Sequence, residues 1–319
     1  MSAPANNMRV VIAALAGNSL IAISKFFAAF ISGSAGTLAE AVHSVADTGN
    51  QALLLLGMKL GARAPTEEHP FGRAAEKYFW PFIVAILLFS VGGAFAVYEG
   101  VHDLQGIFKG EHEEGGTKLW SYIVLGTSFL FESYSFSVAF GEFKKTKGDL
   151  STLRTMIQAK DPTIPVVLME DTAALIGLFL ALVGLGLSDL TGWPGWDGVA
   201  SLLIGVLLCG VAYFLARETH SLLVGESATP ADRKRCKELT LSVAGVVDVR
   251  QLLSMHRGPD EVLIAMKVQF SAGMTVEKVE ETINAIETKI RSEMPTMRYI
   301  FIEPDSTYEP PKDPRSVPH

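Results

Sequence analysis

Residues 36–51 read GTLAEAVHSVADTGNQ and place charged side chains inside a long, largely apolar stretch, Ala35–Met58. About 20 mostly apolar residues are needed for a helix to cross the hydrocarbon core of a bilayer. The polar side chains of this stretch recur at intervals of three, four and three residues, which puts them on one helix face: Glu40, His43, Asp47 and Asn50. An ionisable group near the bilayer centre costs at least ~2.5–3.5 kcal/mol, so this stripe needs an explanation.

The composition of the whole chain is that of a membrane protein. Of its 319 residues 49% are hydrophobic and only 19% are charged, and the mean hydropathy is +0.29. A soluble domain of this size carries more charge. The net charge of −7 argues against nucleic acid as a partner. The two cysteines, Cys209 and Cys236, form neither a disulfide framework nor a metal-ligand pair.

The hydropathy pattern predicts six membrane-spanning helices. They are Val10–Ile31, Ala35–Met58, Phe79–Tyr98, Leu119–Phe140, Ile164–Leu187 and Gly198–Ala216. An even number of spans leaves both termini on one side of the membrane. The loops after the second and fourth spans are rich in Lys and Arg, whereas the alternate loops are uncharged or acidic on balance. By the positive-inside rule both termini are cytoplasmic, and we expect a multi-pass protein of the plasma (inner) membrane.

A soluble α+β domain follows the last span. Its pattern predicts the order αββαβ, a small sandwich of helices on one sheet: Thr229–Val243, Val246–Ser254, Glu261–Phe270, Thr275–Met294 and Tyr299–Ile302. The sequence therefore divides into a transmembrane domain over 1–220, an α+β domain over 221–308 and a Pro-rich tail over 309–319 that we expect to be disordered.

Acidic residues on three predicted spans fall at a similar depth. Entering from outside at ~1.5 Å per residue, Asp47 lies ~18 Å and Glu132 ~20 Å into the membrane. Asp171 lies ~10 Å from the inner face of a core that is ~30 Å thick, which is nearly the same level. His43 and Asp47, four residues apart, can put an imidazole nitrogen and a carboxylate oxygen on one ion, a combination that suits zinc.

The other intramembrane charges have a structural explanation as well as a functional one. Glu132 either hydrogen-bonds hydroxyl groups of a neighbouring helix or belongs to the site. Lys25 acts as a counter-charge or faces the cytoplasm in a water-filled cavity. Glu40, one turn outward of His43, is interpreted as an entrance or packing residue.

The segment 36–51, together with His69–Pro70–Phe71–Gly72–Arg73 and Glu76, resembles the cation diffusion facilitator family of metal/proton antiporters. Leu168–Met169–Glu170–Asp171 is most similar to the branch that contains zinc transporter nine. The resemblance covers nearly the whole chain and implies a homodimer that works by alternating access, with a cytoplasmic αββαβ dimerisation domain. It also implies a transport site of two residues from the second span, here His43 and Asp47, and two from the fifth, where Asp171 fits.

This sequence departs from the family pattern at three places. Val167 stands where the family has the fourth ligand, which leaves Glu170, Glu132, Asn50 or water as candidates. The loop site has Arg73 in place of a histidine, so His69 lacks that partner. In the cytoplasmic domain Arg250, Lys267 and Ile302 occupy ligand positions, so we expect it to dimerise without the family's binuclear zinc cluster.

The sequence thus predicts proton-coupled efflux of a divalent cation, with zinc as the expected metal and Mn²⁺, Fe²⁺, Co²⁺ or Ni²⁺ as alternatives. No cofactor is expected besides the transported ion. Binding a dication requires His43 and the acids to lose protons, so a proton arriving from outside competes with the metal. One rival function is a membrane-embedded metal hydrolase, but the chain has no HExxH helix and no nucleophile–base pair, so we do not expect an enzyme. The other is a non-transporting scaffold or regulator with the same fold.

Overall fold

A computed structural model of the chain describes residues 4–32, 35–109, 118–146, 156 and 159–307. The chain divides into two compact units between His220 and Ser221. The tail over 309–319, predicted to be disordered, lies outside the described residues.

Long helices occupy all six predicted spans. Their bounds are α1 Pro4–Ser32, α2 Ala35–Gly61, α3 Glu76–Leu87 continued by a π-helical segment Leu88–Ala94 into α4 Phe95–Lys109, α5 Lys118–Thr146, α6 Thr163–Thr191 and α7 Gly195–Val224. Within the described residues five of these crossings are long and apolar enough to span a membrane, the third being Glu76–Lys109. The remaining helix, α2, carries the polar stripe. The α-helical membrane fold is confirmed.

The third crossing differs most from its prediction. It is longer than Phe79–Tyr98, and its middle contains the π-helical segment rather than a regular helix. Such segments insert an extra residue into the hydrogen-bond ladder and are found disproportionately at functional positions. Leu88, the first residue of the segment, lines the cavity described below.

Glycines allow the third crossing to pack closely against α7. A Cβ atom on Gly100 would come within 2.6 Å of the Leu202 backbone nitrogen. A Cβ atom on Gly205 would come within 2.6 Å of the Val97 nitrogen and 2.9 Å of the Gly93 oxygen. Small residues let the backbones of membrane helices come into contact, which increases the van der Waals packing between the helices. This packing matters because lipid tails are as apolar as the helices, so no hydrophobic driving force brings the helices together.

The second unit has the predicted αββαβ order. Its elements are α8 Pro230–Leu241, β1 Val246–Gly258, β2 Glu261–Phe270, α9 Val276–Glu293 and β3 Met297–Pro304. The sheet order is β1-β2-β3, with β1 antiparallel and β3 parallel to β2. The side chains of Thr229 and Thr275 cap the two helices by accepting hydrogen bonds from the Asp232 and Lys278 backbone nitrogens.

The helices of this unit cover one face of the sheet. Alternate residues of β2, such as Ile264 and Val268, are fully buried with Ile286 and Ile290 of α9. The strand β1 is longer than predicted, because the ladder continues to Gly258 and leaves Pro259–Asp260 as the turn.

We predict that Gly205→Ala destabilises the membrane unit by about 1–3 kcal/mol, because the added methyl group overpacks a backbone contact. Gly210→Ala is the matched control on α7, since a Cβ atom there has nothing within 4 Å. Thermal unfolding of the two purified variants in detergent checks this, and equal midpoints would contradict it.

Candidate metal-ion site

A cavity of about 140 Å³ lies among the membrane helices. Since a water molecule occupies about 30 Å³, it has room for a few waters or for an ion with part of its hydration shell. Its polar lining comes from four helices and comprises Asn18, Lys25, Ser44, Asp47, Ser128, Glu132, Glu170 and Asp171. The structure therefore brings four of the acids predicted from the sequence to one cavity.

Two of these acids face the cavity from α5 and α6. Asp171 is only 2% exposed, and the Ser135 hydroxyl donates a hydrogen bond of 2.9 Å to its Oδ2. Glu132 lies on the same face of α5, one turn from Ser128 and one turn from Ser135, and is also buried. The hydroxyl of Ser135 thus orients Asp171 from the helix that carries Glu132.

The polar stripe of α2 contributes Asp47, which lines the cavity and is partly exposed. His43 lies four residues earlier on the same helix, and the described part of the structure does not include its side chain. Glu40 lies one turn further towards the start of α2 and is likewise described by its backbone alone.

Glu170 and Asn50 are hydrogen-bonded to each other. The Asn50 amide donates to Glu170 Oε1 at 2.8 Å, and the neighbouring Gln51 amide donates to Oε2 at 2.9 Å. All three side chains are buried. Both carboxylate oxygens of Glu170 therefore accept a hydrogen bond from α2. Glu170 and Asn50, two of the candidates for the fourth ligand, are hydrogen-bonded to each other.

Val167, which stands at the family's fourth ligand position, is fully buried in an apolar cluster with Val166, Leu54 and Phe143. It does not belong to the cavity lining. The substitution of a ligand by valine is thus matched by apolar neighbours.

The electrostatics of the cavity favour a cation. Its lining has four acidic side chains, Asp47, Glu132, Glu170 and Asp171, and one basic side chain, Lys25, so charge–charge interactions cross it. At the low effective dielectric of a buried cavity these interactions are several times stronger than in water. Among the described side chains, no three His, Cys, Asp or Glu residues lie close enough together to hold a metal ion. The four described acids share one cavity.

Sequence reasoning missed the neutral polar residues of the cavity. Asn18 lies seven residues before Lys25 on α1, Ser44 lies three before Asp47 on α2, and Ser128 lies four before Glu132 on α5. The same spacing that identified the stripe on α2 would have found them. The Asn18 Oδ1 atom is buried and has no hydrogen-bond partner among the described residues.

Two of the cytoplasmic positions that the resemblance assigns to metal ligands, Arg250 and Lys267, are paired cations. Lys267 Nζ donates to Glu303 at 2.9 Å and to Asp305 at 3.0 Å. These hydrogen bonds raise the pKa of Lys267, and the hydrogen bond from Lys267 lowers the pKa of Asp305. Arg250 forms an ion pair of 3.3 Å with Asp248. Glu303, Asp305 and Asp248 are therefore paired with cations of the same chain.

The uncovered face of the sheet carries an apolar row next to these pairs. Leu253 lies opposite Ala265 in the ladder, and Ala265 lies opposite Phe301. Leu253 is 47% and Phe301 is 53% exposed. Exposed apolar side chains that form a row across a sheet are suited to contact with another protein surface.

We predict that the isolated segment Glu226–Asp305 is a dimer in the presence of a chelator, because its cation pairs replace metal ligands and its apolar row remains to be covered. Sedimentation measures the dimer, and Phe301→Asp should convert it to a monomer. Isothermal titration should detect no tight zinc binding. Stoichiometric tight binding, or dissociation of the dimer by the chelator, would show the prediction to be wrong.

Comparison with known proteins agrees with this architecture. Residues 11–224 match the family model described as the cation efflux transmembrane domain. Residues 228–306 match the model described as the cytoplasmic domain of cation efflux proteins.

Individual relatives match most of the chain. The Xenopus laevis protein named "Proton-coupled zinc antiporter SLC30A9, mitochondrial" is 34% identical over 288 residues, which cover 89% of this chain and 50% of that protein. The Homo sapiens protein of the same name is 32% identical, covering 82% of this chain and 46% of that protein. "Metal tolerance protein C4" of Arabidopsis thaliana is 32% identical, covering 85% of this chain and 59% of that protein. The chain spans about half the length of these relatives. Both domain matches confirm the resemblance seen in the sequence, and the chain belongs to the cation efflux family.

Proposed function

We propose that this protein carries a divalent metal cation across a bilayer in exchange for protons. The observation that carries the proposal is the buried cavity into which α2, α5 and α6 bring Asp47, Glu132 and Asp171. Burying several carboxylates in a membrane helix bundle is costly unless a cation or a proton neutralises them. The names of the relatives, two of which are called proton-coupled zinc antiporters, support the same function.

The proposed mechanism couples metal and proton through competition for the same groups. His43, Asp47 and Asp171 form the core of the ion site, and each must be deprotonated to coordinate a dication. A proton that reaches them from the outer side displaces the metal there, so the proton gradient drives metal efflux. The homodimer implied by the family and the apolar row on the cytoplasmic sheet support a dimeric transporter.

The metal proposed is zinc, because His43 adds an imidazole to the carboxylates. The described donors around the cavity are otherwise carboxylate, amide and hydroxyl oxygens, which favour harder ions, so manganese is the second candidate. The cytoplasmic location of both termini and residence in the plasma membrane remain predictions from the loop charges. The Xenopus laevis and Homo sapiens relatives are called mitochondrial, and imaging of a tagged protein in its own cell decides between the two membranes.

We predict that the purified protein in proteoliposomes moves zinc when a pH gradient is imposed, and that Asp47→Ala reduces this flux at least about tenfold, since a site that loses one charged ligand loses much of its affinity. His43→Ala should have a similar effect. Parallel assays with Mn²⁺, Fe²⁺, Co²⁺ and Ni²⁺ determine the preference.

Gly210→Ala, which touches nothing in the structure, is the matched control for expression and folding. Metal flux excludes a scaffold or regulator. Absence of flux for every metal, from correctly folded protein, would overturn the proposed function.

Glu132 and Asn18 complete the proposed site with different chemistry, because a carboxylate can carry a proton and an amide cannot. We predict that Glu132→Gln weakens metal binding and flattens its dependence on pH. Asn18→Ala should weaken binding by a similar factor at every pH, because it removes a neutral oxygen donor. Metal titrations at several pH values measure both effects. Unchanged affinity and unchanged pH dependence in Glu132→Gln would leave Glu132 as a packing residue.

A further inference from the structure

The cavity extends from the acids towards one end of the helix bundle. On α5 its lining begins at Leu125 and ends at Glu132, and on α2 it ends at Asp47. On α6 it begins at Glu170 and continues to Ala181. The lining therefore precedes the acids on α2 and α5 and follows them on α6. In the predicted six-span topology, this is the end that faces away from the cytoplasm.

The opposite end of the bundle is filled by apolar side chains. They lie before Asn18 on α1, after Asp47 on α2, after Glu132 on α5 and before Glu170 on α6: Val10, Val11, Ala14, Leu54, Ala139, Phe143, Ile164, Val166 and Val167. Each is at most 5% exposed. Protein interiors are close-packed, so an ion cannot pass between side chains that are buried in this way. Transport therefore requires the helices to separate at this end.

Glu170 lies at the boundary between the cavity and this packed end. Its carboxylate receives one hydrogen bond from Asn50 and one from Gln51, both on α2. A buried carboxyl group that accepts two amide hydrogen bonds holds its partners strongly, because breaking these bonds would leave buried polar atoms without hydrogen-bond partners. Asp171, the next residue, projects about 100° away around the helix. Consecutive residues thus face different partners.

We infer that Glu170 is a positioning residue rather than a metal ligand, and that it latches α6 to Asn50 and Gln51 of α2 so that the packed end of the cavity stays closed. The inference rests on the proposed transport function. According to this inference, the hydrogen bonds from Asn50 and Gln51 to Glu170 must break and be replaced by others when the site opens towards the cytoplasm. The latch also fixes the position of Asp47 on α2 relative to Asp171 on α6, because Asp47 lies within one helical turn of Asn50 and Asp171 follows Glu170.

Mutation can exchange the amide and the acidic group of the latch between the two helices. Gln51→Glu alone removes the amide that donates to Glu170 Oε2 and sets a second acidic group against Glu170, which weakens the contact. Combined with Glu170→Gln, the same substitution restores one carboxylate facing an amide, with the donor and acceptor exchanged between the helices. A metal ligand at position 170 would not be restored by moving its charge to position 51.

The first measurement is the accessibility of the packed end. Ala14→Cys, in a background of Cys209→Ala and Cys236→Ala, places a thiol in the apolar cluster at little cost in volume. We expect a membrane-impermeant maleimide to label this thiol slowly in the otherwise unaltered protein and slowly again in the double exchange. With Gln51→Glu alone, labelling should be at least about fivefold faster, because the loss of a buried partner destabilises the closed end by more free energy than a fivefold change in rate requires. Ser292→Cys, at an exposed position of α9, is the control that should label in every variant.

The second measurement separates rate from affinity in the proteoliposome assay. Glu170→Gln should change the maximal metal flux while leaving the KM for the metal within about threefold, whereas loss of a ligand raises KM by about tenfold or more. A large rise in KM that the double exchange does not reverse would overturn the inference, as would unchanged labelling in Gln51→Glu. If Gln51→Glu prevents folding, recovery of folded protein in the double exchange supports the latch and failure to recover contradicts it. A wild-type protein that shows no flux refutes the proposed function, while the labelling result still decides the latch.

Discussion

The cost of placing carboxylates inside a membrane governs the arrangement of the transmembrane unit. A carboxylate in hydrocarbon must find hydrogen-bond donors, an opposite charge, a proton or a metal. The bundle meets this requirement with helices that each bring a polar face to one place, which produces the cavity lined by Asp47, Glu132, Glu170 and Asp171. The apolar remainder of each helix is then free to face lipid or to pack at one end.

Neighbouring acids on α6 illustrate how the same cost leads to two solutions. Glu170 has both oxygens bound by neutral amides, so it is satisfied by the protein alone. Asp171 receives one hydrogen bond from Ser135 and keeps its remaining acceptor capacity towards the cavity. An acid that is fully hydrogen-bonded is suited to hold helices together, whereas one that is partly satisfied is suited to bind an ion.

The soluble unit uses charge differently, because water and salt weaken its ion pairs. Lys267 lies between Glu303 and Asp305, and Arg250 pairs with Asp248, so cations of the chain stand where the resemblance places metal ligands. The stability of this unit comes from the buried face of its sheet against α8 and α9, and the exposed row of Leu253 and Phe301 is left for association.

The sequence by itself determined the six helical stretches, the αββαβ order and the intramembrane acids, because hydrophobic periodicity and the cost of buried charge are local properties. It also identified Val167 as a departure from the family pattern. Only the tertiary structure decided that Asn50 and Gln51 bind Glu170, that Asn18 joins the cavity, and that the cavity extends towards one end of the bundle. Those features depend on which helix faces meet and how far the helices slide along each other, and residues about 120 positions apart in the chain carry no local sign of such a contact.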